Sequence, residues 1–215
     1  MKNIPIFTTE YGTASLILRE IPYKKEAYVA NPSALPGRLR ELALACGEFC
    51  RAAGAERVYL AEPPDSALSF PLHTEVWTMT CPRQRLDPGP WALYPVLPEN
   101  AAEYRRRYNE AMAPVANAAT MERADEERLL TEGGGYFVHM EGRALGLGQI
   151  KDDEIEAVVS FTPGGGEAVV RALSALSEGG LIRLKVASVN ERALRLYHRL
   201  GFSATGVASR WLQIF

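Results

Sequence analysis

Residues 186–202, Val-Ala-Ser-Val-Asn-Glu-Arg-Ala-Leu-Arg-Leu-Tyr-His-Arg-Leu-Gly-Phe, contain the beginning, the apolar face and the end of one short helix. Asn190 is a preferred residue immediately before a helix, and Glu191 puts a negative charge in the first turn, where the helix dipole favours it. Four residues at helical spacing form one apolar stripe: Ala193, Leu196, Tyr197 and Leu200. Gly201 has the position of a left-handed helix end. The pattern predicts a strand, a capped helix and an immediate stop.

Tyr197 places a phenol on the inward face of this predicted helix. One interpretation is a core tyrosine whose hydroxyl reaches a hydrogen-bond partner. A second comes from the spacing of six residues, which resembles the last strand–helix segment of the GNAT family of acetyl-CoA-dependent N-acetyltransferases: Asn190, Ala193, Leu196, Tyr197, Gly201 and Phe202. The resemblance implies that Tyr197 is the general acid for the departing CoA thiolate. A phenol with a pKa of about 10 is reasonably matched to a thiol with a pKa of about 8.5–10.

The length, the net charge and the distribution of apolar residues indicate which classes of protein the chain does not resemble. The chain has 215 residues and a formal net charge of −2, with acids and bases interspersed, which argues against a nucleic-acid-binding surface. The N-terminus lacks the apolar run of a signal peptide, and no window approaches the length of a membrane span. We expect a cytoplasmic protein without a nucleic-acid or membrane partner.

Two of the three cysteines, Cys46 and Cys50, lie four residues apart on a predicted helix. They share its apolar face with Leu42, Ala43 and Phe49. We expect both to be buried small hydrophobes rather than a metal or redox pair. No metal site is predicted.

The remaining patterns predict an α/β fold with a mixed sheet. Before residue 91 the predicted elements are strands over 13–21, 26–30, 57–61 and 73–80 and a helix over 39–53. Residues 81–90, with three prolines and one glycine, are predicted to be a linker. The elements after the linker are helices capped by Asn100 and Thr120, strands over 136–140, 145–150 and 155–161, a helix over 167–177, the segment quoted above and a strand over 207–214. That order resembles the whole GNAT fold, so we predict a GNAT acetyltransferase domain over 91–215 and a separate α/β domain over 1–90.

The N-terminal region repeats part of this order. Residues 26–29 and 57–60 flank a predicted helix in the same way as residues 156–159 and 183–186. The N-terminal region is therefore either a reduced, GNAT-like half-domain or an unrelated α/β extension.

The loop Pro163-Gly-Gly-Gly-Glu-Ala168 opens a predicted helix. Backbone N–H groups at a helix N-terminus, with glycines that allow close approach, can hold a pyrophosphate. The GNAT pattern is Gln/Arg-x-x-Gly-x-Gly/Ala, and Gly166 and Ala168 fit its small positions, whereas Pro163 stands where Gln or Arg is usual. Glu167 suits the helix dipole but would repel a phosphate. The alternative interpretation of the loop is a glycine-rich turn.

The resemblance also implies the binding of acetyl-CoA by particular residues. The loop residues Gly164, Gly165, Gly166, Glu167 and Ala168 would hold the pyrophosphate. The strand residues Val159, Ser160 and Phe161 would pair with the pantetheine arm through their backbone, and an N–H group there would polarise the thioester carbonyl. Asn190 would contact the arm, in addition to or instead of capping its helix.

The general base is harder to assign from the sequence. Glu156, at the start of the strand before the loop, is the first candidate for the group that deprotonates the amine. His139 is an alternative base. Glu156 is equally explained as a solvated carboxylate in the acidic run from Asp152.

The sequence thus supports an N-acetyltransferase that transfers an acetyl group to a primary amine by direct attack in a ternary complex. The alternative is a non-catalytic GNAT-like module that binds acyl-CoA or regulates another protein, which the departure at Pro163 motivates. The acceptor, a small-molecule or peptide amine, stays open, and a homodimer is a candidate assembly.

Overall fold

The computed structural model describes residues 4–63, 66 and 68–215. The strands are β1 (Ile6–Thr9), β2 (Gly12–Ile17), β3 (Glu26–Ala34), β4 (Arg57–Ala61), β5 (Leu72–Pro82), β6 (Ala92–Pro95), β7 (Gly135–Met140), β8 (Arg143–Lys151), β9 (Glu154–Ser160), β10 (Leu181–Ala187) and β11 (Ser203–Gln213). The helices are α1 (Ile21–Lys24), α2 (Leu39–Ala52), α3 (Ala101–Met112), α4 (Arg123–Glu132), α5 (Gly165–Ser174) and α6 (Glu191–Arg199). The predicted mixed α/β class is confirmed.

The chain divides into two compact units. One contains the residues up to Val76 together with Ser209–Phe215, and the other contains Trp77–Ala208. The boundaries fall within β5 and β11, so each of these strands contributes residues to both units. The predicted domains 1–90 and 91–215 stay a prediction.

The first unit is built on β1, β2, β3, β4 and the end of β11, in that order across the sheet. β3 and β4 are parallel and are connected through α2, whereas the C-terminal residues of β11 run antiparallel to β4. Helix α2 packs on one face of these strands, where alternate residues form the core: Ala27, Val29, Val58, Leu60 and Ile214. Cys46 and Cys50 lie fully buried in this core, as predicted, and burial raises their pKa values to about 11 and 12.

The second unit has the strand order β11, β5, β10, β9, β8, β7, β6. Strands β6 to β9 form an antiparallel meander, and β9 and β10 are parallel and connected through α5. Helix α5 packs closely on β8 because Gly146 and Gly148 face it, and a Cβ atom on either would lie 2.7 Å from a methyl carbon of Val169. Helices α3 and α4 supply a further apolar cluster with Leu147 and Val159.

The connections β3–α2–β4 and β9–α5–β10 are both parallel crossovers. The repeated order of elements that the sequence predicts is therefore present. This supports the half-domain interpretation of the N-terminal region.

The start of α4 was predicted wrongly, and strand β6 was not predicted. Thr120 does not cap α4, because Glu122 occupies the N-cap and forms a capping box with Asp125. Strand β6, which pairs with β7, was missed because it spans only four residues and ends at Pro95. Within the described residues, no helix is long and apolar enough to span a membrane.

Candidate active site

Helix α6 begins and ends as its sequence predicts. The side-chain oxygen of Asn190 accepts a hydrogen bond of 3.2 Å from the backbone N–H of Ala193. Gly201 has a φ of +93°, its N–H donates to the carbonyl of His198, and the N–H of Phe202 donates to the carbonyl of Tyr197. These two bonds form a Schellman C-cap. The same local interactions fix the orientation of the side chains on the inward face of α6.

Tyr197 lies on this inward face and is 7% exposed. Its ring packs against Phe202, with 5.8 Å between the ring centroids. Burial raises its pKa to about 12. Among the described residues no hydrogen-bond partner of its hydroxyl is found, which leaves the phenol able to donate to a ligand.

The loop before α5 uses part of its own hydrogen-bonding capacity. Gly165 donates to the carbonyl of Thr162, and Glu167 and Ala168 both donate to the carbonyl of Gly164. In the part of the chain that the structure describes, the N–H groups of Gly164 and Gly166 have no such backbone acceptor. These two glycines therefore keep free donors at the helix N-terminus.

The glycines also bring three elements together. A Cβ atom on Gly165 would clash with the carbonyl oxygen of Leu145 in β8 and would lie 2.9 Å from Oγ of Ser160. A Cβ atom on Gly166 would lie 3.0 Å from Cδ2 of Leu196 and 3.8 Å from Cβ of Ser160. The start of α5 is thus in contact with β8, with the end of β9 and with the helix that carries Tyr197.

Strands β9 and β10 separate soon after they begin. They pair at Glu154 with Arg183 and at Ile155 with Leu184, and no later pair is formed within the described residues. By contrast, β3 and β4 pair over four residues, from Glu26 with Arg57 to Val29 with Leu60. The separation leaves one edge of β9 without a partner strand.

The register shows which backbone groups lie on that open edge. Phe161 donates to the carbonyl of Leu145, and bonding alternates along an antiparallel pair, so Val159 also bonds to β8. Val158 and Ser160 then direct their N–H and carbonyl groups away from β8. Of the three predicted strand residues, Ser160 is the one whose backbone faces the open edge, and the sequence analysis missed Val158.

The side chains of all three predicted strand residues have contacts within the protein. Val159 is buried on the face opposite α5, next to α3. The ring of Phe161 lies 4.4 Å from the guanidinium carbon of Arg107. Ser160 faces α5 and donates through its hydroxyl to the carbonyl of Thr162 at 2.6 Å.

Glu156 lies at a β-bulge. The pairing of β8 with β9 shifts between Gln149 and Ile150, so Glu156 has no partner residue and its side chain is exposed. The pKa of buried Tyr104 is raised by burial, with smaller contributions from Tyr108 and Glu156, which puts the Glu156 carboxylate on the α3 side of the sheet. His139 instead packs on Tyr94, at 4.8 Å between ring centroids, at the β6–β7 edge.

Glu167 is neutralised by two arginines. Its Oε1 lies 3.0 Å from Nε of Arg171, and its Oε2 lies 3.8 Å from Nη2 of Arg199 at the end of α6. The repulsion expected between Glu167 and a phosphate is therefore offset locally. The sequence analysis missed both arginines. Arg171 lies four residues after Glu167 on the same helix, a spacing that could have indicated the pair, whereas only the packing of α6 against α5 brings Arg199 to Glu167.

The fold as a whole is similar to those of solved acetyltransferases. The GCN5-related N-acetyltransferase from Kribbella flavida matches with a TM-score of 0.60 and 13% identity, over 96% of this chain and 58% of that one. The GCN5-related N-acetyltransferase from Sphaerobacter thermophilus matches with a TM-score of 0.58 and 15% identity, over 94% of this chain and 75% of that one. A functionally unknown conserved protein from Staphylococcus epidermidis ATCC 12228 matches with a TM-score of 0.59 and 11% identity, over 99% and 94% of the two chains.

No protein-family model and no curated protein matches the sequence. The structural similarity nevertheless agrees with the resemblance that residues 190–202 and the order of elements indicated. The chain therefore has the fold of the GCN5-related N-acetyltransferases, the GNAT fold.

Proposed function

We propose that the protein is an acetyl-CoA-dependent N-acetyltransferase that acts on a primary amine by direct transfer in a ternary complex. The observation that carries this proposal is the separation of β9 from β10 after Ile155. It leaves backbone donors of Val158 and Ser160 unpaired, beside the glycine-rich start of α5. We propose a cytoplasmic location for the protein.

The residues at the start of α5 fit the pyrophosphate of acetyl-CoA. Gly164 has a φ of +81° and no atom within 4 Å of its Cβ position, so a ligand can approach its backbone. The free N–H groups of Gly164 and Gly166 and the helix dipole suit an anion. Pro163 contributes neither an N–H group nor a polar side chain.

The open edge of β9 fits the pantetheine arm. Val158 and Ser160 would form backbone hydrogen bonds with its amides, as a neighbouring strand would. Glu156 lies four residues before Ser160, roughly 13 Å along the strand at 3.3 Å per residue. An arm that follows β9 from the loop would bring the thioester towards the bulge.

At the bulge, Glu156 would accept a proton from the attacking amine, directly or through water. The amine nitrogen then forms a bond to the carbonyl carbon of the thioester, and the carbon–sulfur bond breaks to release the CoA thiolate. An N–H group on the open edge of β9 would stabilise the oxyanion of the intermediate. Bulges are frequent next to active sites because they redirect a side chain.

Tyr197 would act as a hydrogen-bond donor to the thiolate. Burial raises the pKa of Tyr197 to about 12, and burial of the CoA thiolate beside it would raise the pKa of the thiol as well. The phenol would therefore donate a hydrogen bond to the thiolate or pass its proton to it, which is the general-acid role that the sequence resemblance implies.

A non-catalytic acyl-CoA-binding module is the second candidate. The exposure of Glu156 and the proline at position 163 favour it, because a solvent-exposed carboxylate lacks the enclosed setting usual for a general base and the proline removes a phosphate contact. If the protein is catalytic, its acceptor would lie on the α3 side of β9, where the Glu156 carboxylate points. The acceptor would be a small-molecule or peptide amine, and a panel of such amines identifies it.

The test measures release of CoA thiol from acetyl-CoA with a panel of small amines and peptides. We expect turnover with at least one amine, and a Tyr197→Phe variant that binds acetyl-CoA normally but turns over at least tenfold more slowly. Tyr23→Phe, at an exposed position in α1 to which no role in the site is assigned, is the matched control. Equal turnover of Tyr197→Phe and the wild type would remove Tyr197 from the mechanism, and binding without any transfer would favour the non-catalytic module.

A further inference from the structure

Three arginines from separate elements lie around the contact between α5 and the end of α6. Arg171 lies on α5 and Arg199 at the end of α6, and both contact the carboxylate of Glu167. Arg85, in the turn after β5, lies next to Gly201, with its Cδ 3.6 Å and its Nη1 3.9 Å from the Cβ position of that glycine. We call Arg85, Arg171 and Arg199 the arginine cluster.

Cys81 lies near two members of the arginine cluster, Arg85 and Arg171. Its Sγ lies 3.7 Å from the same Cβ position of Gly201, so it is close to Arg85. Burial raises the pKa of Cys81, and the charges of Arg85 and Arg171 oppose that rise. Both guanidinium groups are thus within electrostatic range of one buried sulfur atom.

The cluster carries more positive charge than its neighbours neutralise. Glu167 is the carboxylate that pairs with Arg171 and Arg199, and across residues 4–63, 66 and 68–215 no carboxylate lies within 4.0 Å of Arg85. Three guanidinium groups therefore share one carboxylate. The side chain of Arg199 is 62% exposed, and its separation from Glu167 is longer than a hydrogen bond.

We propose that the arginine cluster binds a phosphate monoester, which in acetyl-CoA is the 3′-phosphate of the adenosine. This inference rests on the proposed function. Guanidinium groups match phosphate oxygens in geometry and form charge-assisted hydrogen bonds with them. Arg171 and Arg199 flank Glu167 in the first turn of α5, and the pyrophosphate would bind at the start of that turn.

The arginine cluster also explains how the chain can do without a Gln or Arg at position 163. The phosphate contacts that Pro163 lacks would come from α5, α6 and the turn after β5 instead of from the loop. Glu167 holds Arg171 and Arg199 in place and competes with the phosphate for them. Because Glu167 is paired, Glu167→Gln should leave the affinity for CoA unchanged or raise it only a little. If the Glu167 carboxylate were unpaired and repelled the phosphate, the same substitution would raise the affinity by a larger factor.

The experiment compares calorimetric binding of CoA and of dephospho-CoA, which lacks the 3′-phosphate. The proteins are the wild type, Arg85→Met, Arg199→Met and the matched control Arg195→Met, an exposed arginine of α6 that pairs with Glu191. We expect the wild type to prefer CoA by roughly ten- to a hundredfold, the range for charge-assisted hydrogen bonds. The preference is the ratio of the dissociation constants of dephospho-CoA and CoA. In Arg85→Met and in Arg199→Met the logarithm of this ratio should fall by at least about half, and in Arg195→Met it should stay at the wild-type value.

The outcomes separate this inference from the proposed function. Equal binding of CoA and dephospho-CoA by the wild type would overturn the phosphate site and leave the donor site intact. Equal loss of both ligands in the cluster variants would also overturn it, because the arginines would then act on something other than the 3′-phosphate. Binding of neither ligand by the folded wild type would overturn both proposals.

Discussion

A Cβ atom on Gly165 would clash with the carbonyl oxygen of Leu145, because the first residue of α5 lies directly against β8. Oγ of Ser160 lies 2.9 Å from the same position. Glycine is therefore required at 165 by the packing of the strand–helix unit, independently of any ligand. Gly164 and Gly166, which keep free N–H groups, are the residues through which the loop would act on a phosphate.

Gly165→Ala should destabilise the protein. The added methyl group must displace backbone or force α5 away from β8, and overpacking of this kind costs about 1–3 kcal/mol. Gly180→Ala is the control, because nothing lies within 4 Å of its Cβ position and its φ is not positive. Urea denaturation of both variants measures the effect, and a wild-type midpoint for Gly165→Ala would contradict the close approach.

Gly47 and Phe215 should show strong energetic coupling in the first unit. A Cβ atom on Gly47, in α2, would overlap the ring of Phe215, over which the guanidinium of Arg51 lies at 5.1 Å. Gly47→Ala alone should therefore destabilise the protein by about 1–3 kcal/mol. In a Phe215→Ala background the clash with the ring is gone, and only Cδ1 of Ile214, at 3.3 Å, has to shift slightly, so alanine should then be favoured by up to about 1 kcal/mol through helix propensity.

A double-mutant cycle in denaturant measures this coupling. The predicted result is a change of sign for Gly47→Ala between the two backgrounds. The same destabilisation in both backgrounds would show that Phe215 does not pack on α2.

Asn190 should have separable capping and ligand-binding roles. Asn190→Ala removes the hydrogen bond to the Ala193 N–H and should lower the free energy of unfolding by about 1 kcal/mol. Asn190→Ser retains a capping oxygen, so its stability should stay near that of the wild type, while it loses the amide donor. If Asn190 contacts the cofactor arm, the serine variant should bind acetyl-CoA more weakly despite normal stability. Normal binding by Asn190→Ser would limit Asn190 to its cap.

Tyr197 should make stability depend on pH at high pH. Its pKa is about 12 in the folded protein and about 10 in an unfolded chain, so the unfolded chain loses its proton first as pH rises. The contribution is complete below pH 10 and is lost between about pH 10 and 12, up to roughly 2.7 kcal/mol. Tyr197→Phe has no phenol to ionise and so lacks this loss of stability at high pH. The two proteins should therefore have similar stability at pH 7, and the wild type should fall below the variant as the pH rises from about 10 to 12.

The measurement is the difference in unfolding free energy between the wild type and Tyr197→Phe at several pH values. Taking the difference cancels the titration of all other groups. A difference that does not change between pH 10 and 12 would mean that the phenol is not buried as described.

Helix α6 could be predicted because its determinants are local. Asn190, the apolar stripe and Gly201 act within one or two turns, and the cap and the Schellman bonds follow them. The start of α4 was predicted wrongly for a related reason. Its capping box uses two carboxylates, Glu122 and Asp125, whereas Thr120 is the more usual capping residue.

The parts of the site that could not be predicted depend on contacts between distant residues. The bulge at Glu156 depends on the register between β8 and β9, and the open edge depends on where β10 leaves β9. Strand β5 lies between β10 and β11, although it precedes both in the chain by many residues. Likewise, Arg85, Arg171 and Arg199 come together only through the packing of three elements.

Calorimetric titration of acetyl-CoA into the wild type and into Gly166→Ala tests the central claim most directly. We predict one site per chain with micromolar affinity, about −8 kcal/mol, because β9 has an open edge and the equivalent strand β3 is paired along β4. In Gly166→Ala, checked for normal stability, the added methyl group would lie 3.0 Å from Cδ2 of Leu196 and shift the first turn of α5 with its free N–H groups, so binding should weaken at least tenfold. Absence of binding to the wild type, or equal binding by Gly166→Ala, would contradict a donor site at the start of α5.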